Sequence, residues 1–214
     1  MRDEMLEYAE QHLQGQSSQD GQAELRIFVN DADLEFQSLV QGRGYQKRSQ
    51  WNRPLAKYII PDPFPNISLP GRFGLKSLAD ECDWAKVNRA LWRGFNHEGE
   101  PPMTDEELES RRRMFDTPSG RRNLKVVVKA PGGDFVSFCG MFYEPTNKYA
   151  YVEPVATDPD YRRKGLGKAA VLEGIRRCAE LGARVAYVGS DQAFYLAMGF
   201  EVTNVSECWV KYLD

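Results

Sequence analysis

Hydrophobic and polar positions change period several times along the last two thirds of the chain. Apolar residues recur every three or four positions over 83–95 and 165–181, which predicts two amphipathic helices. They alternate with polar residues or run on continuously over 123–130, 135–143 and 148–156, which predicts strands joined in hairpins. Similar patterns predict strands at 73–78 and 184–188, a helix opened by a capping box of Thr104 and Glu107, a short helix at 191–198, and a bent strand or hairpin at 200–213.

The order of these elements indicates an α/β fold. Antiparallel hairpins come first, and a strand, the long helix at 165–181 and another strand follow them. Since a crossover of this kind joins parallel strands, we expect a mixed, mostly antiparallel, twisted sheet flanked by helices.

The first sixty residues predict a separate, partial α/β domain in the order helix, strand, helix, strand. The first helix covers 4–14, a polar loop covers 15–22 and the first strand covers 24–29. Asn30 or Asp31 is expected to cap the second helix, which ends at glycines 42 and 44, and 45–60 holds one or two strands.

A segment rich in proline separates these two parts. Residues 61–71 contain four prolines and a glycine, so they cannot form a regular helix. The predicted domains are therefore 1–60 and 73–214, joined by a linker at 61–72.

Composition and charge exclude several classes of protein. The 214 residues are 42% hydrophobic and 28% charged, which is typical of a globular protein, and the net charge is −3. A nucleic-acid-binding protein would normally be basic, so the arginines at 111–113 and 121–122 are better explained as a solvated helix face. No apolar run approaches the roughly 18 residues of a membrane span, and the acidic N-terminus does not resemble a secretory signal. We expect a cytoplasmic protein with no nucleic-acid or membrane partner.

Cysteine and histidine spacing predicts neither a metal site nor a disulfide framework. Only two histidines, His12 and His97, are present, and neither lies in a motif for nucleophilic catalysis. The cysteines are far apart in sequence, without a Cys-x-x-Cys pair, so we expect them to be reduced and mostly buried. They are Cys82, Cys139, Cys178 and Cys208.

Residues 151–181 carry the clearest chemistry, because a strand, a glycine-containing turn and a helix follow one another there. The first turn of a helix has unpaired N–H groups and a partial positive charge, so it attracts anions. Gly165 and Gly167 allow a phosphate to approach the backbone, and Arg162, Arg163 and Lys164 add charge. The alternative is a turn with a solvated basic face. The spacing fits neither the nucleotide P-loop nor the dinucleotide fingerprint.

This turn resembles the Arg/Gln-x-x-Gly-x-Gly/Ala motif of the GNAT superfamily of acyl-CoA-dependent N-acetyltransferases. The motif corresponds here to Arg162, Arg163, Lys164, Gly165, Leu166 and Gly167. The strand at 152–159 and the helix at 167–183 extend the resemblance. Residues 194–200 are similar to the family's aromatic-Tyr-x-x-x-Gly-Phe segment. The elements from 73 to 213 match a complete GNAT domain, and 1–60 resemble a degenerate half-domain unable to bind CoA, or are an unrelated extension.

The resemblance implies roles for individual residues. The backbone at the end of the strand would pair with the pantetheine arm of acetyl-CoA, and the backbone amides of the turn would hold its pyrophosphate. Tyr195 would protonate the departing thiolate, unless it is only a packing residue. Ser190 would replace an Asn that the family often has. The cofactor-binding residues implied are Val155, Ala156, Thr157, Arg162, Arg163, Lys164, Gly165, Leu166, Gly167, Lys168 and Ser190.

Acetylation of an amine requires a base, because an alkylammonium with a pKa of about 10 is protonated at neutral pH. Glu153 lies two and four residues before Val155 and Thr157, and a period of two places it on their side of the sheet. It is therefore the preferred base, directly or through water, ahead of Glu144 and Asp158. The alternatives are a carboxylate at the rim that attracts a cationic acceptor, or one that is paired with a basic neighbour.

The implied function is transfer of an acetyl group from acetyl-CoA to a primary amine of a small molecule or peptide, by direct attack in a ternary complex. The enzyme would need no metal and would be a monomer or homodimer. The alternative is a non-catalytic module that senses acyl-CoA. The acceptor pocket would involve 83–115, whose large apolar residues are also explained by core packing; they are Trp84, Trp92, Phe95 and Met114.

Overall fold

The computed structural model describes residues 1–13, 15–16, 21–116 and 121–213. The chain forms two compact units, one of residues 57–188 and one of residues 1–56 with 189–214. The α-helices are α1 (Arg2–His12), α2 (Leu34–Gly42), α3 (Trp84–Gly94), α4 (Asp105–Phe115), α5 (Leu166–Glu180) and α6 (Ala193–Leu196). The strands are β1 (Gly15–Gln16), β2 (Ala23–Asn30), β3 (Gln46–Lys47), β4 (Arg53–Ile59), β5 (Gly74–Ser77), β6 (Lys125–Lys129), β7 (Phe135–Glu144), β8 (Tyr149–Thr157), β9 (Val185–Val188) and β10 (Glu201–Tyr212).

The unit of residues 57–188 contains a sheet in the order β5, β6, β7, β8, β9. Its first three pairings are antiparallel, and β8 pairs with β9 in parallel after the crossover through α5. This confirms the predicted mixed, mostly antiparallel sheet. The parallel pair follows from α5, because a strand, a helix and a strand return in the same direction.

Helices cover both faces of this sheet. α3 and α4 pack on the face that carries Phe138, together with Leu91 and Phe115. α5 packs on the opposite face against β6, β7 and β8. The approach of α5 is close, since a Cβ added at Gly174 would lie 2.6 Å from the Cγ of Met141. The position of α5 is therefore fixed by close packing against Met141 of β7.

The other unit is smaller. β2 pairs antiparallel with β1 and β10, and β10 pairs antiparallel with β3. α1 and α2 contribute Leu6 and Val40 to a core with Val29, Tyr45 and Trp209 from the strand region. The final strand is thus part of the same unit as the first 56 residues. The interpretation of 1–60 as a degenerate half-domain stays a prediction.

Side-chain caps begin several helices, and the sequence predicted the one at Thr104. Asp83 caps α3 by accepting from the Lys86 N–H at 3.0 Å, and Thr104 caps α4 by accepting from the Glu107 N–H at 3.3 Å. The expected cap of α2 was wrong, because Asp33 takes that role and accepts from the Phe36 N–H at 3.1 Å. Asn30 instead accepts from the Ala32 N–H at 2.9 Å within the preceding turn.

The structure decides between the two forms expected for the last segment. The last segment is one strand of 12 residues and not a hairpin. Between Ile59 and Gly74, all of which the structure describes, there is no helix or strand, as expected for the proline-rich segment. Residues 17–20 of the predicted polar loop at 15–22 lie outside the described residues, as does residue 14 at the end of the first predicted helix. Within the described ranges, no helix combines the length and apolar character needed to cross a bilayer.

The close contact between α3 and β8 gives a stability prediction. A Cβ at Gly94 would lie 2.6 Å from the Cβ of Ala156 and 3.0 Å from the Thr157 nitrogen. We therefore expect Gly94→Ala to lower the free energy of unfolding by about 1–3 kcal/mol, as in other overpacked sites. Gly42→Ala is the matched control, since Gly42 also ends a helix but has no atom within 4 Å of an added Cβ. Denaturant unfolding of both variants measures the difference, and equal stabilities would contradict this packing.

Candidate functional site

Strands β8 and β9 separate partway along their length. Their parallel pairs run from Tyr149 with Val185 to Tyr151 with Tyr187 and end there. β8 continues to Thr157, still paired with β7 on its other side. The edge of β8 that faced β9 thus has no paired strand from Val152 onward, in a part of the chain that is fully described. An extended ligand could pair with those backbone groups.

A β-bulge lies at the point of separation. Val155 pairs with Cys139 and Val152 pairs with Met141, so β8 has one residue more than β7 between these pairs. Gly140 faces the bulge, and a Cβ at that position would clash with the carbonyl of Glu153. The Glu153–Pro154 peptide bond is cis.

The bulge overturns one step of the sequence argument. The period of two does not continue from Val155 and Thr157 back to Glu153, because the extra residue shifts the alternation. Glu153 instead follows Tyr151 on the face opposite α5. The expectation that it shares a side with Val155 and Thr157 was therefore wrong. Its carboxylate is exposed and makes no ion pair among the described residues.

The start of α5 is built to receive an anion. Gly165 is the N-cap, has a left-handed backbone with φ 78° and provides no capping side chain. Arg163 is left-handed as well, with φ 63°. The first helical bond runs from the Ala169 N–H to the Gly165 carbonyl at 3.0 Å, so the preceding amides of the helix remain available. These amides belong to Leu166, Gly167 and Lys168. The sequence prediction of a helix start at this turn is confirmed.

The basic side chains of this turn divide into two groups. Arg163 and Lys168 are exposed and make no ion pair within the described chain. Lys164 donates to the Asp160 carbonyl at 3.1 Å and lies over the ring of Tyr161. A cavity of about 440 Å³ opens beside Lys164, Gly165 and Lys168, and residues 66–70 form its other wall. The positive charge around this cavity favours a phosphate group.

Arg162 has a different environment. Its guanidinium donates to the Gly94 carbonyl at 2.8 Å, to Asn96 Oδ1 at 2.8 Å and to the Thr157 carbonyl at 3.0 Å. It therefore joins the end of α3 to the end of β8. Its predicted contact with a cofactor stays a prediction, since three of its hydrogen bonds are to protein atoms.

Asp158 continues this connection. Its carboxylate accepts two hydrogen bonds from Arg93 of α3, at 2.5 and 3.0 Å, and Arg93 also binds Asp160 at 2.7 Å. Burial alone would raise the pKa of Asp158, but the hydrogen bonds from Arg93 outweigh it and hold that pKa below the ordinary value. A buried carboxylate held ionised by an arginine is a poor general base. Asp158 is thus a structural ion pair.

Glu144 also has a structural role. Its carboxylate accepts from the backbone N–H groups of Thr146 and Asn147 in the turn between β7 and β8. These hydrogen bonds to the charged form lower the pKa of Glu144. Three carboxylates were considered from the sequence. Among the described residues, Glu153 is the one of them that neither pairs with an arginine nor accepts hydrogen bonds from the N–H groups of a turn.

Tyr195 and Ser190 belong to the other compact unit. Tyr195 is buried on α6, with its ring edge-to-face against Phe194 and Phe200 at centroid distances of 4.9 and 5.7 Å. The Ser190 hydroxyl accepts from the Gln192 N–H at 3.2 Å. Their predicted contacts with a cofactor remain predictions.

Three arginines of α4 and the segment after it are engaged in the protein. Arg111 donates to the buried Asn88, Arg112 pairs with Glu109, and Arg122 binds Asp116. Residues 117–120 lie outside the described chain. These pairs leave less free positive charge for nucleic acid, consistent with a solvated helix face.

The apolar residues of the expected acceptor region divide between core and surface. Trp84 packs on the core and stacks with Phe115, whereas the Trp92 indole donates to the Gly99 carbonyl at 3.1 Å. Phe95 and Met114 are exposed.

The cysteines are free, and three of the four are buried. In the described ranges no three His, Cys, Asp or Glu side chains are grouped to hold a metal.

Sequence reasoning missed Arg93, Gly94 and Gly140. Gly140 interrupts an otherwise apolar strand, and an isolated glycine in a strand often marks a bulge. Arg93 and Gly94 lie about sixty residues from their partners, and nothing local in the sequence pairs them with Asp158 and Ala156.

Comparisons with known proteins agree with this geometry. The family model described as the acetyltransferase (GNAT) family matches residues 84–200. A comparison with curated proteins gave no match. Among solved structures, the chain is similar to a GCN5-related N-acetyltransferase from Sphaerobacter thermophilus, with 15% identity and a TM-score of 0.70 over 89% of this chain. It is also similar to a tandem GNAT protein from the clavulanic acid biosynthesis pathway, with 14% identity and a TM-score of 0.66 over 88% of this chain.

The chain spans 60% and 64% of the lengths of these two proteins. At such low identity the structural likeness shows the fold alone. It confirms the predicted class of a mixed sheet flanked by helices.

The ion pair of Arg93 and Asp158 gives a pH-dependent prediction. We expect Arg93→Met to lower the free energy of unfolding at pH 7 by about 2 kcal/mol, because hydrogen bonds to charged groups contribute about 1.5–3 kcal/mol. Since the folded pKa of Asp158 is depressed, this stability is present above its unfolded value near 3.8 and is lost as the pH falls below it. Denaturant unfolding at pH 7, 5 and 3 measures the difference.

Arg112→Met is the control, because the pair of Arg112 and Glu109 is about half exposed on both sides, at 50% and 47%. We expect it to change stability by less than about 0.5 kcal/mol. A wild-type advantage over Arg93→Met that stays the same from pH 7 to pH 3 would show that Asp158 is not the partner responsible.

Proposed function

Because the chain belongs to the GNAT acetyltransferase family, we propose that it transfers an acetyl group from acetyl-CoA to the primary amine of a small molecule or peptide. The observation that carries this proposal is the separation of β8 from β9, which leads directly to the uncapped start of α5. A strand edge next to an anion site suits a ligand with an amide-containing arm and a diphosphate.

The residues present fit acetyl-CoA. The backbone of Val155, Ala156 and Thr157 would pair with the pantetheine amides, and the first amides of α5 would hold the pyrophosphate. Arg163 and Lys168 would supply charge at an accessible position. When bound, acetyl-CoA supplies an activated acyl thioester. Arg162 acts in this proposal mainly by holding the turn to α3 through Gly94 and Asn96.

Glu153 is the proposed base. An amine must lose a proton before it attacks, and a carboxylate or a water bound to it can accept that proton. Glu153 is exposed and lies in the bulge where β8 leaves β9. Glu144 and Asp158 are held ionised by structural hydrogen bonds, so they are poorer candidates.

Tyr195 is the proposed acid, with Ser190 as a further cofactor contact. A phenol with an ordinary pKa of about 10 is protonated at neutral pH and can donate to a leaving thiolate. The support for Tyr195 is its place in the segment at 194–200 that resembles the family. A non-catalytic module that senses acyl-CoA is the second candidate, favoured if CoA binds without turnover of any amine.

The first test of this function is CoA binding by the full chain. We expect calorimetry to detect CoA binding, and Gly165→Val to weaken it at least about tenfold, because a branched side chain disfavours the left-handed backbone and occupies the phosphate space. Gly44→Val is the control, since Gly44 has a similar φ of 87° with open space around it. Absence of CoA binding to the wild-type chain would refute the proposal.

The two proposed catalytic groups should affect the kinetics in different ways. Glu153→Gln should lower kcat and flatten the acidic limb of the pH profile, with little change in CoA affinity. Tyr195→Phe should lower kcat at least about tenfold with the melting temperature nearly constant, because the ring is kept. CoA-release assays over a range of pH measure both. An unchanged pH profile for Glu153→Gln would contradict its role as the base and assign proton removal to water. A full kcat for Tyr195→Phe would show that Tyr195 is a packing residue and not the acid.

A further inference from the structure

An aromatic patch lies on the sheet face opposite α5, beside the point where β8 and β9 separate. Tyr151 pairs in register with Phe142 of β7 and with Tyr187 of β9, so these three side chains share a face. Tyr149 lies two residues before Tyr151, and its ring is 5.7 Å from that of Tyr187. All four rings are half-buried.

The location of the patch relates it to the acyl group. A cofactor fixed at the start of α5 would extend along the free edge of β8 toward the narrow end of the split. That end is marked by the last parallel pair, Tyr151 with Tyr187. α5 covers the other face of the sheet, as its contact with Met141 and Cys139 shows. An acceptor must therefore approach from the face that carries the aromatic patch.

The charges on this face are few. Over 135–144, 149–157 and 185–188, all of them described, the acidic side chains of this face are Glu144 and Glu153. The carboxylate of Glu144 is taken up by the turn at Thr146 and Asn147. One available carboxylate suits one ammonium group.

A buried cation also lies beside Phe142, one ring of the patch. Lys125 donates to the Met141 carbonyl at 2.7 Å, and its Nζ is 3.8 Å from the ring centroid of Phe142. Burial lowers the pKa of Lys125 to about 8. A positive charge beside Phe142 disfavours an acceptor with several ammonium groups.

We propose that the acceptor is a monoamine with an aromatic body, whose ring packs on Tyr149, Tyr151 and Tyr187 while its amino group meets Glu153. This substrate class rests on the proposed function. Stacked or edge-to-face contacts between aromatic rings stabilise binding in addition to the stabilisation that comes from burying apolar area. A single carboxylate at the rim of the patch orients the amine toward the split.

The test compares a matched pair of amines, which differ only in the ring, with a polyamine. The probes are 2-phenylethylamine, 2-cyclohexylethylamine of similar size without a π face, and spermidine as a polycation. We expect kcat/KM for the phenyl compound to exceed that for the cyclohexyl compound about two- to tenfold. Spermidine should be the poorest. Calorimetric binding of each amine in the presence of CoA gives a second readout that does not need turnover.

Two variants connect this preference to the patch. Tyr187→Leu keeps an apolar side chain but removes the ring, so the ratio of phenyl to cyclohexyl compound should fall to about one. Tyr143→Leu is the control, because Tyr143 faces the other side of the sheet and donates to the Leu181 carbonyl. That variant can lose stability, but the ratio should not change.

The outcomes separate this inference from the proposed function. Acetylation of all amines with a ratio near one, or a preference for spermidine, would overturn the aromatic acceptor and leave the acetyltransferase. Selective binding of the phenyl compound without acetylation would support the aromatic acceptor site but contradict the proposed acetyltransferase activity. A chain that neither binds nor acetylates any of the amines would refute both.

Discussion

The end of the parallel pairing between β8 and β9 is the constraint on which the candidate site depends. Three residue pairs join these strands, and then the backbone of β8 has a partner on one side only. Unpaired backbone groups in a sheet require another partner, and here water or a ligand must supply it. The bulge at Glu153 and Pro154 lies where this change occurs. A sheet that stayed paired to the end of β8 would leave no edge for a cofactor arm.

The glycine-containing turn after β8 combines two tasks in adjacent residues. Gly165 and the first amides of α5 have no capping side chain, which suits an anion. Arg162 faces the protein and, with the ion pair of Arg93 and Asp158, ties the turn to the end of α3. The basic residues of this motif therefore have different roles at different positions. Some of them recognise a ligand, and some of them fix the loop that presents the recognising amides.

Short-range features of the structure followed from the sequence. The cap at Thr104 was predictable because capping depends on residues three apart, and the helix start at Gly165 was predictable from its glycines. The face of Glu153 was not, because alternation continues only while pairing is regular, and Gly140 interrupts it. The ion pair of Arg93 with Asp158 was equally hidden, since its partners meet through the packing of α3 on β8. Long-range contacts and register are decided by the whole sheet, and a single sequence does not display them.

The bulge also determines which evolutionary changes β8 can accept. Deleting one residue between Val152 and Val155 would restore a regular ladder with β7, in which these two residues keep their partners Met141 and Cys139 and their faces. The bend and extra twist that a bulge gives to its strand would be lost at the point where β8 leaves β9. Substitutions at single positions carry no such penalty, so the side chains beside the split can diversify freely. The length of this strand is fixed while its chemistry can vary, and selection on substrate preference can act here without rebuilding the fold.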